Sequence, residues 1–294
     1  MASVQANGIT IEYELTGEGE PLLLVMGLGG QLTDWPEGFP EQLAAQGYQV
    51  ITFDNRDIGL STEFDWDPPS QVKAVMGMLA KRPLKAGYLL SDMANDAAGL
   101  LDALGIASAH VVGMSMGGMI AQTLTIEHPQ RVRSLTSIMS NPGDRRSGRI
   151  APKIMPKLAR MKPPTRETAA DRSTEMFKLF SGPHYDAAVH VARSQISIER
   201  SFRPKGTARQ TAAIMASPDR TAGLRQVAVP TLIVHGLMDK LVLPSGGIAT
   251  ARAVPNSRLL MFPDMGHDLP APRHAEVIAA IKRNTDSVGV SRTV

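Results

Sequence analysis

The stretch His110-Val111-Val112-Gly113-Met114-Ser115-Met116-Gly117-Gly118-Met119-Ile120-Ala121-Gln122-Thr123-Leu124 decides the fold. An apolar run enters it, a G-x-S-x-G pentapeptide interrupts it, and a helix-forming run leaves it. The pentapeptide alone is weak evidence, because glycine–serine strings arise by chance. Its setting is stronger. Strand, sharp turn and helix in succession leave the Ser115 hydroxyl at the apex of a backbone tight enough to demand glycine on either side. The helix that follows points the positive end of its dipole toward that hydroxyl. An ordinary glycine-rich strand-to-helix turn is the competing reading, and the flanking pattern disfavours it.

Working outward, residues 21–26 form a continuous apolar run ended by Gly27, which suits a strand buried on both faces. Residues 9–15 alternate with period two, as in an edge strand with one wet face. A helix is expected at 41–46, a strand at 48–53, and a helix at 91–104 with Ser91 at its N-cap and Gly105 as its stop. Residues 132–139 supply another strand. The rhythm then breaks: 141–218 carries no convincing buried strand, only helix-like pieces cut by prolines. Alternation resumes with a strand at 229–234, a helix at 246–253, a strand at 258–262 and a helix at 275–282. Buried strands joined by helices predict an α/β fold with a mostly parallel sheet. The core domain is then 1–140 plus 219–294, interrupted by a helical insertion at 141–218. A smaller insertion covers 64–90, and the polar residues 284–294 are expected to be loose.

Of the 294 residues 43% are apolar and 20% charged, enough for a large core and incompatible with global disorder. The absence of Cys excludes disulfides, thiolate metal sites and cysteine nucleophiles. An excess of 31 Lys+Arg over 28 Asp+Glu is too mild to imply nucleic-acid binding. The start of the chain lacks a secretion-signal layout, and the apolar run 22–26 is too short to cross a bilayer. A cytoplasmic protein without stable membrane insertion is expected. No ligand cluster or nucleotide fingerprint calls for a metal or an organic cofactor.

A serine hydroxyl needs a base to remove its proton. Among the seven His, His267 stands out, on a loop just past the strand 258–262, at the sheet edge where such sites gather. His110 reads as a buried strand start, while His128 and His274 mark helix ends. His184 and His190 read as surface residues of the insertion, and His235 as packing or bonding near the site. The imidazole needs a carboxylate to fix its tautomer. Asp239, just past the strand at 229–234, fills that part; Asp264 is its rival, and Asp54 and Asp57 more readily organise the turn after residue 53. The developing oxyanion needs N–H donors. The Met116 amide supplies one and the loop 27–30 the other, with Leu28 preferred. Gly27, Gly29 and Met114 would then face substrate, and Trp35 would wall an acyl pocket, with Trp66 structural.

Several motifs together resemble the α/β-hydrolase superfamily, and within it lid-bearing serine esterases similar to aclacinomycin methylesterases and cofactor-free haloperoxidases. They are Val25-Met26-Gly27-Leu28-Gly29-Gly30, Asp54-Asn55-Arg56-Asp57-Ile58-Gly59-Leu60-Ser61, the Ser115 turn, Gly236-Leu237-Met238-Asp239 and Gly266-His267. The resemblance spans residues 9–283. It implies an eight-stranded, mostly parallel sheet, a helical lid over the nucleophile, and hydrolysis of a small-molecule ester through an acyl-enzyme. Lactone hydrolysis is the runner-up and a non-catalytic receptor the reading from another class. Met26 departs from the His common before the oxyanion glycine, and Asp57 from the glycine that usually follows the arginine.

From Arg145 to Arg172 nine Lys/Arg face two Asp/Glu. Attraction to anionic substrates or a membrane surface is one reading; a solvated helix face is the other and the preferred one. Met155, Met161, Met176 and Met215 in the same region, with Met76, Met78 and Leu79 in the smaller insertion, suit an adaptable apolar pocket for a medium-length acyl chain, although core packing explains such residues equally well.

Overall fold

The computed structural model describes residues 1–69, 85–161 and 163–289. Met76, Met78, Leu79, Lys162 and residues 290–294 lie outside the described residues. In chain order the elements are β1 (Ala2–Ala6), β2 (Ile9–Thr16), β3 (Glu20–Val25), α1 (Phe39–Ala44), β4 (Tyr48–Phe53), α2 (Leu90–Ala103), β5 (Ala109–Met114), α3 (Met116–Glu127) and β6 (Val132–Ile138). Then follow α4 (Met155–Arg160), α5 (Ala169–Phe180), α6 (Ala187–Arg200), α7 (Pro204–Ala216), α8 (Thr221–Leu224), β7 (Thr231–Gly236), α9 (Ser245–Ala253), β8 (Arg258–Phe262) and α10 (His274–Thr285).

The strands form one eight-stranded sheet in the order β1-β2-β4-β3-β5-β6-β7-β8. Only β2 runs against its neighbours; the pairs from β4 to β8 are parallel. The apolar run of β3 shows why. Leu22, Leu23, Leu24 and Val25 are all fully buried, yet alternate residues serve different cores. Leu23 and Val25 join Val111, Leu100 and Ile120 on the α2/α3 face, while Leu22 and Leu24 join Val112, Phe39 and Ile281 on the α1/α10 face. A strand with helices on both sides needs apolar residues at every position, and alternation disappears.

Parallel pairing brings the strand ends to one rim. The register sets Val25 beside Gly113, Met114 beside Ile138, Ile138 beside Val234 and Gly236 beside Phe262. The segments that follow these strands, around Gly27, Ser115, Asp239 and His267, therefore leave the sheet on its carboxyl edge.

Three expectations need correction. Residues 9–15 are not an edge strand, because β1 pairs outside β2; the alternation reflects two unequally buried faces, with Ile9 and Ile11 buried and Thr10 and Glu12 only half-buried. Ser91 is not the N-cap of α2: that position is Leu89, whose N–H goes to the Asp92 carboxylate at 2.7 Å. Asn284 and Thr285 are not loose. Asn284 is buried and donates to Leu135 O (3.0 Å) and Pro230 O (3.3 Å), and the Thr285 hydroxyl pairs with that of Tyr48. Their polarity serves buried partners instead of solvent: backbone carbonyls for Asn284 and the Tyr48 hydroxyl for Thr285. No helix among the described residues is long and apolar enough to cross a membrane.

Candidate active site

The turn from β5 to α3 is as tight as its glycines suggest. A Cβ on Gly113 would lie 2.1 Å from Gly117 O, and one on Gly117 would lie 1.9 Å from Val25 O. Ser115 between them adopts φ 56° and ψ −118°, a left-handed conformation that costs about 1–3 kcal/mol for a residue with a side chain. Its amide is held by Ile138 O at 2.8 Å. Gly117→Ala is expected to lower stability by about 3 kcal/mol in a urea unfolding measurement, because the clashing atom is a buried strand carbonyl that cannot rotate away.

Three residues from separate loops meet here. Ser115 Oγ lies 2.9 Å from His267 Nε2, and His267 Nδ1 lies 2.7 Å from Asp239 Oδ2. The carboxylate can only accept, so Nδ1 carries the proton and Nε2 presents a lone pair to the serine hydroxyl. Asp239 is 1% exposed, and its other oxygen accepts from the Leu241 and Val242 amides at 2.9 and 2.8 Å. Burial pushes this carboxyl upward, but the charge of His267 and hydrogen bonds from His235 and His267 outweigh it and hold it below its ordinary range. His235 donates Nε2–H to Val242 O at 2.8 Å, bracing the segment that carries Asp239.

Asp264 sits elsewhere. It pairs with Arg273 at 2.7 Å and His184 at 2.8 Å, and those hydrogen bonds lower its carboxyl to about 2. Asp54 organises the turn as expected and does more: its oxygens accept from Leu32 N and Leu60 N, both at 2.8 Å, and pair with Arg200 at 2.7 Å. Asp57 adopts φ 74°, which explains why glycine is common there; its carboxylate compensates by accepting from Phe64 N, Arg209 Nε and the Tyr88 hydroxyl.

Gly27 lies against the serine, since a Cβ on it would be 3.3 Å from Ser115 Cβ and 3.9 Å from Ser115 Oγ. Met116 is the first residue of α3, so its amide has no partner within the helix. Leu28 is 41% exposed. The Gly29 amide is already occupied by Gln210 Oε1 at 2.9 Å. Met114 is half-buried. Trp35 is 3% exposed and stacks on Phe39 within the α1/α10 core, so its indole backs the loop from the core side. His190, read as a surface residue, is buried instead: it bonds Ser173 Oγ at 2.9 Å and packs on Phe177.

Residues that the motifs did not single out hold this loop in place. The buried Gln210 of α7 bridges Gly29 N and Arg56 O. Gln31 donates to the Ser197 and Ser201 carbonyls at 2.6 and 2.9 Å and accepts from Arg200 at 2.7 Å. The His267 amide donates to Phe180 O at 2.7 Å, and the Phe180 ring meets the imidazole edge-on. Asp268 accepts from the Gly182 and Gly266 amides. None of these carries a local signal, because each partner lies more than eighty residues away in sequence or is a backbone atom.

A family model described as alpha/beta hydrolase fold matches residues 20–271. The chain is 28% identical over 295 residues to rhodomycin D methylesterase DauP of Streptomyces sp. (strain C5), covering 92% of each protein. It is 30% identical over 265 residues to a Mycobacterium tuberculosis protein with the provisional name non-heme bromoperoxidase BpoC, covering 88% of this chain and 91% of that one. The enol-lactonase crystal structure from Burkholderia xenovorans LB400 superposes with a TM-score of 0.69 at 19% identity, covering 99% of this chain and 100% of that one, a likeness of fold.

Proposed function

The chain belongs to the alpha/beta hydrolase fold family, and from that premise we propose that it is a serine hydrolase of carboxylic esters with a medium-chain acyl or otherwise hydrophobic group. The observation that carries the reading is the unbroken line Ser115–His267–Asp239 at 2.9 and 2.7 Å. As the Ser115 oxygen attacks the ester carbonyl, its proton passes to His267 Nε2, and Asp239 stabilises the imidazolium. The Met116 and Leu28 amides face the oxyanion. Protonated His267 then gives its proton to the departing alkoxide, leaving an acyl-enzyme. Water attacks the acyl carbonyl, surrenders a proton to His267, and frees the acid and Ser115. In this reading the helices of 141–218 act as a lid, and the exposed Leu28 beside the serine favours an apolar substrate face. The methylesterase relative, named for ester cleavage, supports the same class.

The deciding experiment compares p-nitrophenyl esters of increasing acyl length with acyl-homoserine lactones. A burst of p-nitrophenol and a preference for simple esters are expected. Higher kcat/KM on every lactone than on any ester would move the reading to a lactonase, and no acylation burst at all would leave a receptor.

Gln210 enters as a positioning residue. By occupying the Gly29 amide it fixes the orientation of the neighbouring Leu28 N–H. Gln210→Met is expected to lower kcat by about 10- to 100-fold with KM changed little, since a displaced donor weakens the transition state more than ground-state binding. An equal rise in KM with kcat intact would assign Gln210 to substrate binding instead.

A further inference from the structure

Between residues 145 and 161 the chain holds Arg145, Arg146, Arg149, Lys153, Lys157 and Arg160, and no Asp or Glu. All six are exposed. Several basic residues farther along have partners: Arg172 pairs with Glu175, Arg200 with Asp54, and Arg166 donates to Glu199 O. The six form no ion pair among the described residues.

Large apolar side chains share this surface. Ile150 is 38% exposed and Met155 47%. The run is pinned to the loop leaving β7: Ala151 N donates to Lys240 O at 2.8 Å, Leu243 N to Arg149 O at 3.2 Å, and Gly148 N to Ser245 Oγ at 3.0 Å. That loop adds Leu237 and Met238, 52% and 39% exposed, and an exposed Lys240 that forms no ion pair among the described residues. Cations interspersed with aliphatic side chains match a bilayer interface, where phosphates lie above acyl chains.

We propose that residues 145–160, with Leu237, Met238 and Lys240, form a docking surface for bilayers bearing anionic headgroups. Charge complementarity selects the occupant: seven cations that form no ion pair among the described residues attract a negatively charged leaflet, and the four aliphatic side chains enter its headgroup region. The surface adjoins the catalytic rim, because Asp239 belongs to the same loop. The assignment does not depend on the hydrolytic reading.

The test is co-sedimentation of the full chain with phosphatidylcholine vesicles, with and without about one third phosphatidylglycerol, at low and high salt. Binding confined to the anionic vesicles and weakened by salt is expected. Arg145→Gln/Arg146→Gln/Arg149→Gln should weaken it on the order of 100-fold, and Ile150→Ser, which alters no residue assigned to the acyl pocket, about threefold or more. Both variants should keep the wild-type melting temperature and hydrolysis of a short soluble ester. Equal binding to neutral and anionic vesicles, or none to either, overturns the proposal. Capture by soluble poly-glutamate without vesicle binding also overturns it, in favour of an acidic protein partner.

Discussion

Ser115→Ala is expected to reduce kcat/KM for an activated ester by about 10⁴-fold or more and to erase the acylation burst. Removing the hydroxyl deletes the attacking atom and leaves His267 Nε2 with nothing to deprotonate, while Met116, Leu28 and the binding surface stay in place. In the proposed mechanism the residual rate then reports substrate binding and stabilisation by those amides. Stability should change little, because the hydroxyl's hydrogen bond is to His267 and the strained backbone at φ 56° is retained with Ala. The paired measurements are stopped-flow p-nitrophenol release and a urea midpoint. Wild-type turnover by Ser115→Ala would remove the serine from the chemistry.

Asp239→Asn is expected to be nearly as severe, about 10⁴-fold in kcat, for a reason readable from the hydrogen bonds. Oδ1 of Asp239 accepts from the Leu241 and Val242 amides. An asparagine must keep its carbonyl oxygen there, which turns its NH₂ toward His267 Nδ1. That nitrogen then has to accept, the imidazole proton moves to Nε2, and Nε2 no longer has a lone pair for the Ser115 hydroxyl. Imidazole ¹⁵N shifts should show the proton relocated to Nε2 while the fold is preserved. A variant with the proton still on Nδ1 and full activity would contradict this account.

The buried strands and their helices were legible because β3, β5 and β7 have both faces covered, so the apolar run itself marks the layer. Residues 9–15 misled because period two signals one wet face, and a wet face does not make an edge. The loops bearing Ser115, Asp239 and His267 were legible for a related reason: each closely follows a strand that the apolar runs had already located, and parallel pairing carries their ends to one rim. The fastening of the loop 27–34 was not. Gln31, Gln210 and Arg200 look like ordinary polar helix or loop residues, and only folding shows that the two glutamines are buried against backbone atoms and that Arg200 reaches Gln31 and Asp54. His190 was misplaced by the same logic, because Phe177 on α5 and Tyr185 in the link before α6, whose rings pack on it, have no motif of their own.

The attachment of Gly29 and Gln31 to α6 and α7, and of the His267 amide to Phe180, bears on how such proteins can be recombined. On the proposed reading of 141–218 as a lid, transplanting that segment from another member of the family would carry over a new roof but sever the bolts beneath it, so a chimera whose foreign helices lack a counterpart of Gln210 and Arg200 should fold and still turn over poorly. If those helices set specificity as proposed, it is exchanged as a set, roof and fastenings together, and directed recombination should place its crossover points to keep them in one fragment.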